Sequence, residues 1–221
     1  MRKLVSGFTL IELIVVLAII TVILGIAFTS QSSFNRSLIL ANTAYDIGLT
    51  FRSSETYGIA TRAAGTDVNT GYGLHFMKQS PNNSFIFFED SYPPLPQSSA
   101  CHPNTLGSDT PAAKPGDCVY TLGRDIQTST YSLNNGITIA DFCVRNGSSW
   151  SCANSHGAGL SSLDVVFARP NPTPFMSANG SYVSGYNEAC LSLTSSSGGA
   201  RYVSVSASGE IDPHAVSCPT P

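Results

Sequence analysis

A short polar stub, Met1-Arg2-Lys3, gives way at Phe8 to an almost unbroken apolar run that ends at Phe28. As a helix, these roughly 21 residues cover about 32 Å at 1.5 Å per residue, enough to cross a bilayer. Arg2 and Lys3 precede the run and no positive cluster follows it, so the positive-inside rule puts the N-terminus in the cytoplasm and the remainder outside. Gly25-Ile26-Ala27 has the small residues of a secretory cleavage site, but the run is longer than a signal's apolar region and holds an ionisable residue, Glu12. A carboxylate in hydrocarbon costs roughly a few kcal/mol, so Glu12 requires a partner.

Past the run, Phe34, Leu38, Ala41, Tyr45 and Leu49 recur at three- and four-residue spacing among Arg36, Asp46, Arg52 and Glu55, an amphipathic helical pattern. No proline interrupts it, and Gly48 and Gly58 weaken a helix by only about 1 kcal/mol each. The pattern predicts one long helix ending near Arg62 to Gly65, its first half anchored in a membrane or fibre and its second against a globular head. Thereafter helical periodicity is missing, and Gly, Pro, Asn and Ser clusters separate short strands. The expected strands are Tyr72–Lys78, Ser84–Glu89, Val119–Leu122, Gln127–Leu133, Ile137–Val144, Leu163–Ala168, Ala189–Leu193 and Arg201–Ser206. The last two form a hairpin across Ser195 to Gly199. Ser91 to Pro115 and Arg169 to Gly185 read as long surface loops. The fold class is therefore α+β: a long N-terminal transmembrane and amphipathic helix packed on a C-terminal antiparallel β-sheet head. Its segments are 1–7, 8–28 (transmembrane), 29–62 (amphipathic) and 63–221 (head).

Composition adds a location. Charged residues are 11% of the chain, against about 25% in ordinary soluble domains. All six cysteines, Cys101, Cys118, Cys143, Cys152, Cys190 and Cys218, lie in the second half. An even number in a low-charge domain, without CxxC pairs, points to disulfides in an oxidising compartment rather than zinc. Nearest-neighbour pairing would join Cys101 to Cys118, Cys143 to Cys152 and Cys190 to Cys218, but six cysteines allow 15 connectivities and the sequence does not choose. The net charge is −3 and the basic residues are scattered, so nucleic acid is not an expected partner.

Gly7-Phe8-Thr9-Leu10-Ile11-Glu12-Leu13, behind a basic leader, resembles the type IV prepilin processing motif. The resemblance implies cleavage between Gly7 and Phe8 by a membrane-embedded prepilin peptidase and N-methylation of Phe8. It also implies that Glu12, as mature residue five, pairs with the N-terminal amine of a neighbouring subunit and sets helix stagger. Loss of Arg2 and Lys3 would leave nine basic side chains against 14 acidic, a net of −5. A second resemblance covers the head. Ser53-Ser54-Glu55, Val165-Val166-Phe167, and Gly199-Ala200-Arg201-Tyr202-Val203-Ser204-Val205 leading to Ser208-Gly209-Glu210-Ile211 are similar to GspH/FimT-type minor pilins and pseudopilins. Related DNA-uptake pilins tend to end in a basic Gly-Arg-rich segment, whereas Gly209 here is followed by Glu210, Ile211 and Asp212.

The implied protein is a structural subunit of a type IV pilus or type II secretion pseudopilus, anchored once in a bacterial inner membrane. Its implied partners are other pilin or pseudopilin subunits, the prepilin peptidase and an inner-membrane assembly platform. The alternative is a membrane-tethered periplasmic binding module. No catalytic motif occurs, and His75, His102, His156 and His214 are dispersed. Trp150 reads as an aromatic shielding a disulfide. Asp109 and Asp117 lack calcium-loop spacing. An enzyme is not expected, and no metal or cofactor is assigned.

Overall fold

A computed structural model describes residues 7–60, 70–92, 116–154, 159–168, 172–196 and 198–218, with the helical side chains of 27–34 excepted. Helix α1 runs over Leu10–Ile59, 50 residues without a break. It ends short of the expected Arg62 to Gly65; residues 61–69 lie outside the description. The chain divides into two compact units, Met1–Ile39 and Leu40–Pro221.

The first unit is the apolar part of α1. From Leu10 to Ile26 its side chains are all exposed, Leu10 at 76% and Ile26 at 67%. Among the described residues no helix is long and apolar enough to cross a membrane, the described apolar side chains ending at Ile26.

In the second unit, the rest of α1 joins two antiparallel sheets in one core. Among the described residues eleven strands follow: β1 (Gly71–Met77), β2 (Ser84–Asp90), β3 (Ile126–Ser132), β4 (Ile137–Asn146), β5 (Ser149–Cys152), β6 (Ser162–Phe167), β7 (Pro174–Ala178), β8 (Ser181–Tyr182), β9 (Tyr186–Ser195), β10 (Ala200–Ser206) and β11 (Ile211–Ala215). One sheet has the order β3-β2-β1-β6-β7-β8 and the other β11-β10-β9-β4-β5. Leu40, Ala44, Ile47 and Phe51, spaced by four, three and four, are buried against Leu74, Phe76, Val165 and Phe167 of the first sheet and Leu191, Leu193, Val203 and Val205 of the second.

The stripe that packs is thus a different one from the 38/41/45/49 repeat. Leu38, Tyr45 and Leu49 are about half exposed. The helix is apolar on two sides, and periodicity alone does not say which side meets the sheets. The answer lies in small residues. A methyl group on Gly58 would come 2.1 Å from the Phe167 carbonyl oxygen, and one on Gly48 3.0 Å from Pro213. The neighbouring Ser54 donates its buried hydroxyl to the Tyr72 carbonyl at 2.7 Å.

The β9–β10 hairpin forms in the expected place, with Leu193 opposite Arg201 and Leu191 opposite Val203. Arg169 to Gly185 is not one loop. β7 and β8 lie within it, joined by Asn179 and Gly180 at φ 54° and 70°, the conformation a two-residue type I′ hairpin requires. Val119–Leu122 is a turn rather than a strand, because carboxylates capture its backbone donors. The buried Asp90 accepts from the N–H groups of Asp117 and Cys118. Asp164 accepts from Tyr120, and Asp125 from Thr121. With its donors so engaged, the segment joins no ladder. This turn covers the outer face of the six-stranded sheet, and β1 and β6 are consequently buried on both faces, whereas β10 alternates. Of the loop expected from Ser91 to Pro115, residues 93–115 lie outside the description.

Candidate functional site

The start of α1 gathers the residues singled out at the N-terminus. Gly7, Phe8 and Thr9 precede the first helical residue, Leu10. Phe8 is 86% exposed, and a side chain added at Gly7 would touch nothing. Among the described residues, nothing packs against the Gly7-Phe8 junction.

Glu12 lies in the first helical turn. One of its carboxylate oxygens accepts from both the backbone N–H and the hydroxyl of Thr9, each at 2.9 Å. The Glu12 N–H donates back to the Thr9 hydroxyl at 3.4 Å. This reciprocal arrangement is a capping box, in which N-cap and third helical residue satisfy one another's donors. The helix N-terminus also carries a partial positive charge that favours a carboxylate there. Glu12 therefore has local hydrogen bonds from Thr9, which soften the cost inferred from sequence. Thr9 was not singled out in the sequence, although Thr9-Leu10-Ile11-Glu12 ahead of an apolar run is the signature of this cap.

The disulfides belong to the head. Cys143 bonds to Cys152 directly across β4 and β5, and Cys190 on β9 bonds to Cys218 beyond β11. Cys118 is also disulfide-bonded; Cys101 lies outside the described residues. Trp150 sits two residues before Cys152 on β5, with the Arg145 guanidinium 5.5 Å from its ring centre. Asp141, Cys143 and Cys152 bring potential ligand atoms close together, but both sulfurs are in the disulfide, leaving no thiolates for an ion.

The two described histidines, His75 and His214, lie in different surroundings. His214 lies beside Tyr45 with ring centres 6.4 Å apart, and His102 and His156 are outside the description. His75 is buried, its Nδ1 2.6 Å from Asp164. Asp164 lies between His75 on one neighbouring strand and Ser177 on the other. A nucleophilic triad needs histidine between acid and serine, and here the acid is central. Asp109 is outside the description, and Asp117 uses its carboxylate on the Val119 N–H. A shallow groove is lined by Tyr45, Leu49 and Arg52 of α1 and by Ile211 and Pro213 of β11.

Compared with known families, residues 2–28 match the prokaryotic N-terminal methylation motif. The chain thus carries a type IV pilin-like prepilin leader. No significant match was found among curated proteins or solved structures.

Proposed function

We propose that this chain is a minor pilin or pseudopilin, a structural subunit cleaved between Gly7 and Phe8, methylated on Phe8, and assembled through α1. The N-terminal methylation motif over residues 2–28 carries the reading. Two features support it. The described apolar side chains from Leu10 to Ile26 are exposed, and such a surface is covered by lipid or by other subunits. The half-exposed Leu38, Tyr45 and Leu49 continue an apolar surface along the helix. The sequence run from Phe8 to Phe28 is long enough to anchor the unassembled subunit once in the inner membrane, with the disulfide-bonded head outside.

Such a subunit works by position rather than chemistry. Peptidase cleavage exposes the Phe8 amine four residues before the first-turn Glu12 carboxylate of its own chain's helix. In an assembled bundle the amine of one subunit and Glu12 of another supply opposite charges in a medium of low dielectric, and that pairing fixes the stagger. The prepilin peptidase, other subunits and an inner-membrane platform are the partners this requires.

Intact-mass measurement of the membrane-extracted protein tests the reading. The expected N-terminus is methylated Phe8, and Gly7→Val should leave the leader attached. A Gly7→Val chain that still matures at Phe8 would refute it.

A further inference from the structure

Among the described residues, four strands end the two sheets, and three of them are protected. β8 is two residues long and β5 four, while β11 carries Asp212, Pro213 and His214. Short length, proline and charge are the devices that keep a sheet edge from pairing with another chain. β3 has none of them. Ile126-Gln127-Thr128-Ser129-Thr130-Tyr131-Ser132 runs for seven residues without a proline or a charge, and six of the seven are exposed. It pairs with β2 on one side and ends the six-stranded sheet on the other. Its one irregularity is a register shift opposite Phe87 and Phe88, which leaves Ser129 to Ser132 in regular pairing.

The direction of its backbone groups follows from the ladder. The Leu133 N–H, just past β3, donates to the Asn83 carbonyl on the β2 side at 2.7 Å. Backbone groups alternate in direction along a strand, so Ser129 and Tyr131 also turn theirs to β2, and Thr130 and Ser132 turn their N–H and C=O groups outward. Exposed apolar side chains flank that row: Ile126, Tyr131 and, at the tip of the preceding turn, Leu122. Tyr131 is held by stacking on Phe85, ring centres 5.1 Å apart. The neighbouring charges are engaged elsewhere. The Arg124 guanidinium donates to the Tyr92 hydroxyl at 2.6 Å, and the Asp125 carboxylate accepts from the N–H groups of Ser91, Tyr92 and Thr121.

A row of alternating donors and acceptors is completed by an extended backbone that offers the same groups in return. β3 puts no sign of charge on that partner, and two copies of it meet without the like-charge repulsion that opposes cross-strand pairing. Each copy then supplies what the other lacks, outward backbone groups at Thr130 and Ser132 beside an apolar flank. We propose that β3 is a self-association edge, pairing antiparallel with β3 of a second copy of this chain and joining two six-stranded sheets into one. A contact between identical patches has twofold symmetry and closes after two copies. A pair of single strands is a small contact beside the roughly 1,200–2,000 Å² of a stable soluble interface, so it forms between chains already held close. Two apolar helices in one bilayer or micelle do this by raising the effective concentration of the heads. That step rests on the proposed anchor; the pairing of the strands does not.

The test uses the full chain in detergent micelles. A cysteine is introduced by Thr130→Cys on β3 or, as a control, by Ser181→Cys on β8, and a short bismaleimide joins thiols of two chains, with the unsubstituted chain as blank. At equal protein-to-detergent ratio, Thr130→Cys should give ~10-fold or more crosslinked dimer than Ser181→Cys, a preference of about 1.4 kcal/mol. Adding Ser132→Pro removes an outward N–H and none that faces β2, a place where an edge strand tolerates proline. It should return the yield of the Thr130→Cys chain to that of the control. Equal yields at the two positions, or a yield that Ser132→Pro leaves unchanged, overturn the inference. If the proline variant does not fold, the comparison of the two positions decides. Leader processing is read separately by mass, so failure of the strand pairing and failure of the pilin reading are told apart.

Discussion

Gly58 shows how one residue governs the seating of a whole helix. Its Cα faces the backbone of Phe167 so closely that an added methyl would meet the carbonyl oxygen at 2.1 Å. Backbone cannot step aside as a side-chain tip can. Gly58→Ala should therefore destabilise the head by about 1–3 kcal/mol, the usual cost of overpacking, although alanine is the better helix former by about 1 kcal/mol. Equilibrium denaturation of the full chain checks the sign, and a stabilised variant would mean that the helix end moves freely. From sequence alone, Gly58 registers only as a weak point, because the atom it must avoid lies more than a hundred positions away. Glu12 was legible for the opposite reason: its motif, Gly7-Phe8-Thr9-Leu10-Ile11-Glu12, is contiguous. The row of His75, Asp164 and Ser177 carries no local signal at all, since each residue comes from a different strand.

At the scale of elements, legibility follows how far each segment's backbone partners lie from it and how clean its alternation is. Tyr202-Val203-Ser204-Val205-Ser206 alternates and has one solvated face, so β10 and its hairpin with β9 were readable. Val119–Leu122 looks just as strand-like, yet its donors go to Asp117, Asp164 and Asp125, and of these Asp164 is an acid that sequence does not bring near. β7 and β8 carry the hairpin signal Asn179-Gly180, but Pro170, Pro172 and Pro174 ahead of it give the segment the composition of a loop. The terminal strand β11 depends on a covalent tie: Cys218, three residues beyond it, is bonded to Cys190 on β9, 28 residues away in sequence. Replacing both with serine should lower stability by about 2–4 kcal/mol. It should also raise amide exchange in β11 more than in the central strands β1 and β6, which exchange measured by mass spectrometry resolves. Uniform loss across both sheets would show that the tie stabilises the core as a whole rather than its edge.

For the whole molecule, the question is what Glu12 does that its own helix cannot supply. Thr9 gives the carboxylate two hydrogen bonds, so removing Glu12 takes away both a helix cap and a charge. Loss of a cap costs about 0.5–2 kcal/mol and frays one end of a 50-residue helix. Under the proposed assembly, loss of the charge removes the carboxylate that pairs with a neighbour's Phe8 amine. Two substitutions separate these effects. Glu12→Ala removes both, whereas Glu12→Gln keeps an acceptor for the Thr9 donors, glutamine being accepted in a capping box, and removes the charge alone. Both variants should insert in the membrane and be processed, since a less charged helix partitions into lipid more readily. Both should also fall at least ~10-fold in the fibre-associated fraction, corresponding to about 1.4 kcal/mol or more of lost subunit pairing. If Glu12→Gln assembles like wild type while Glu12→Ala does not, the cap is the determinant and the charge pairing is withdrawn. If both assemble normally, Glu12 has no part in building the fibre.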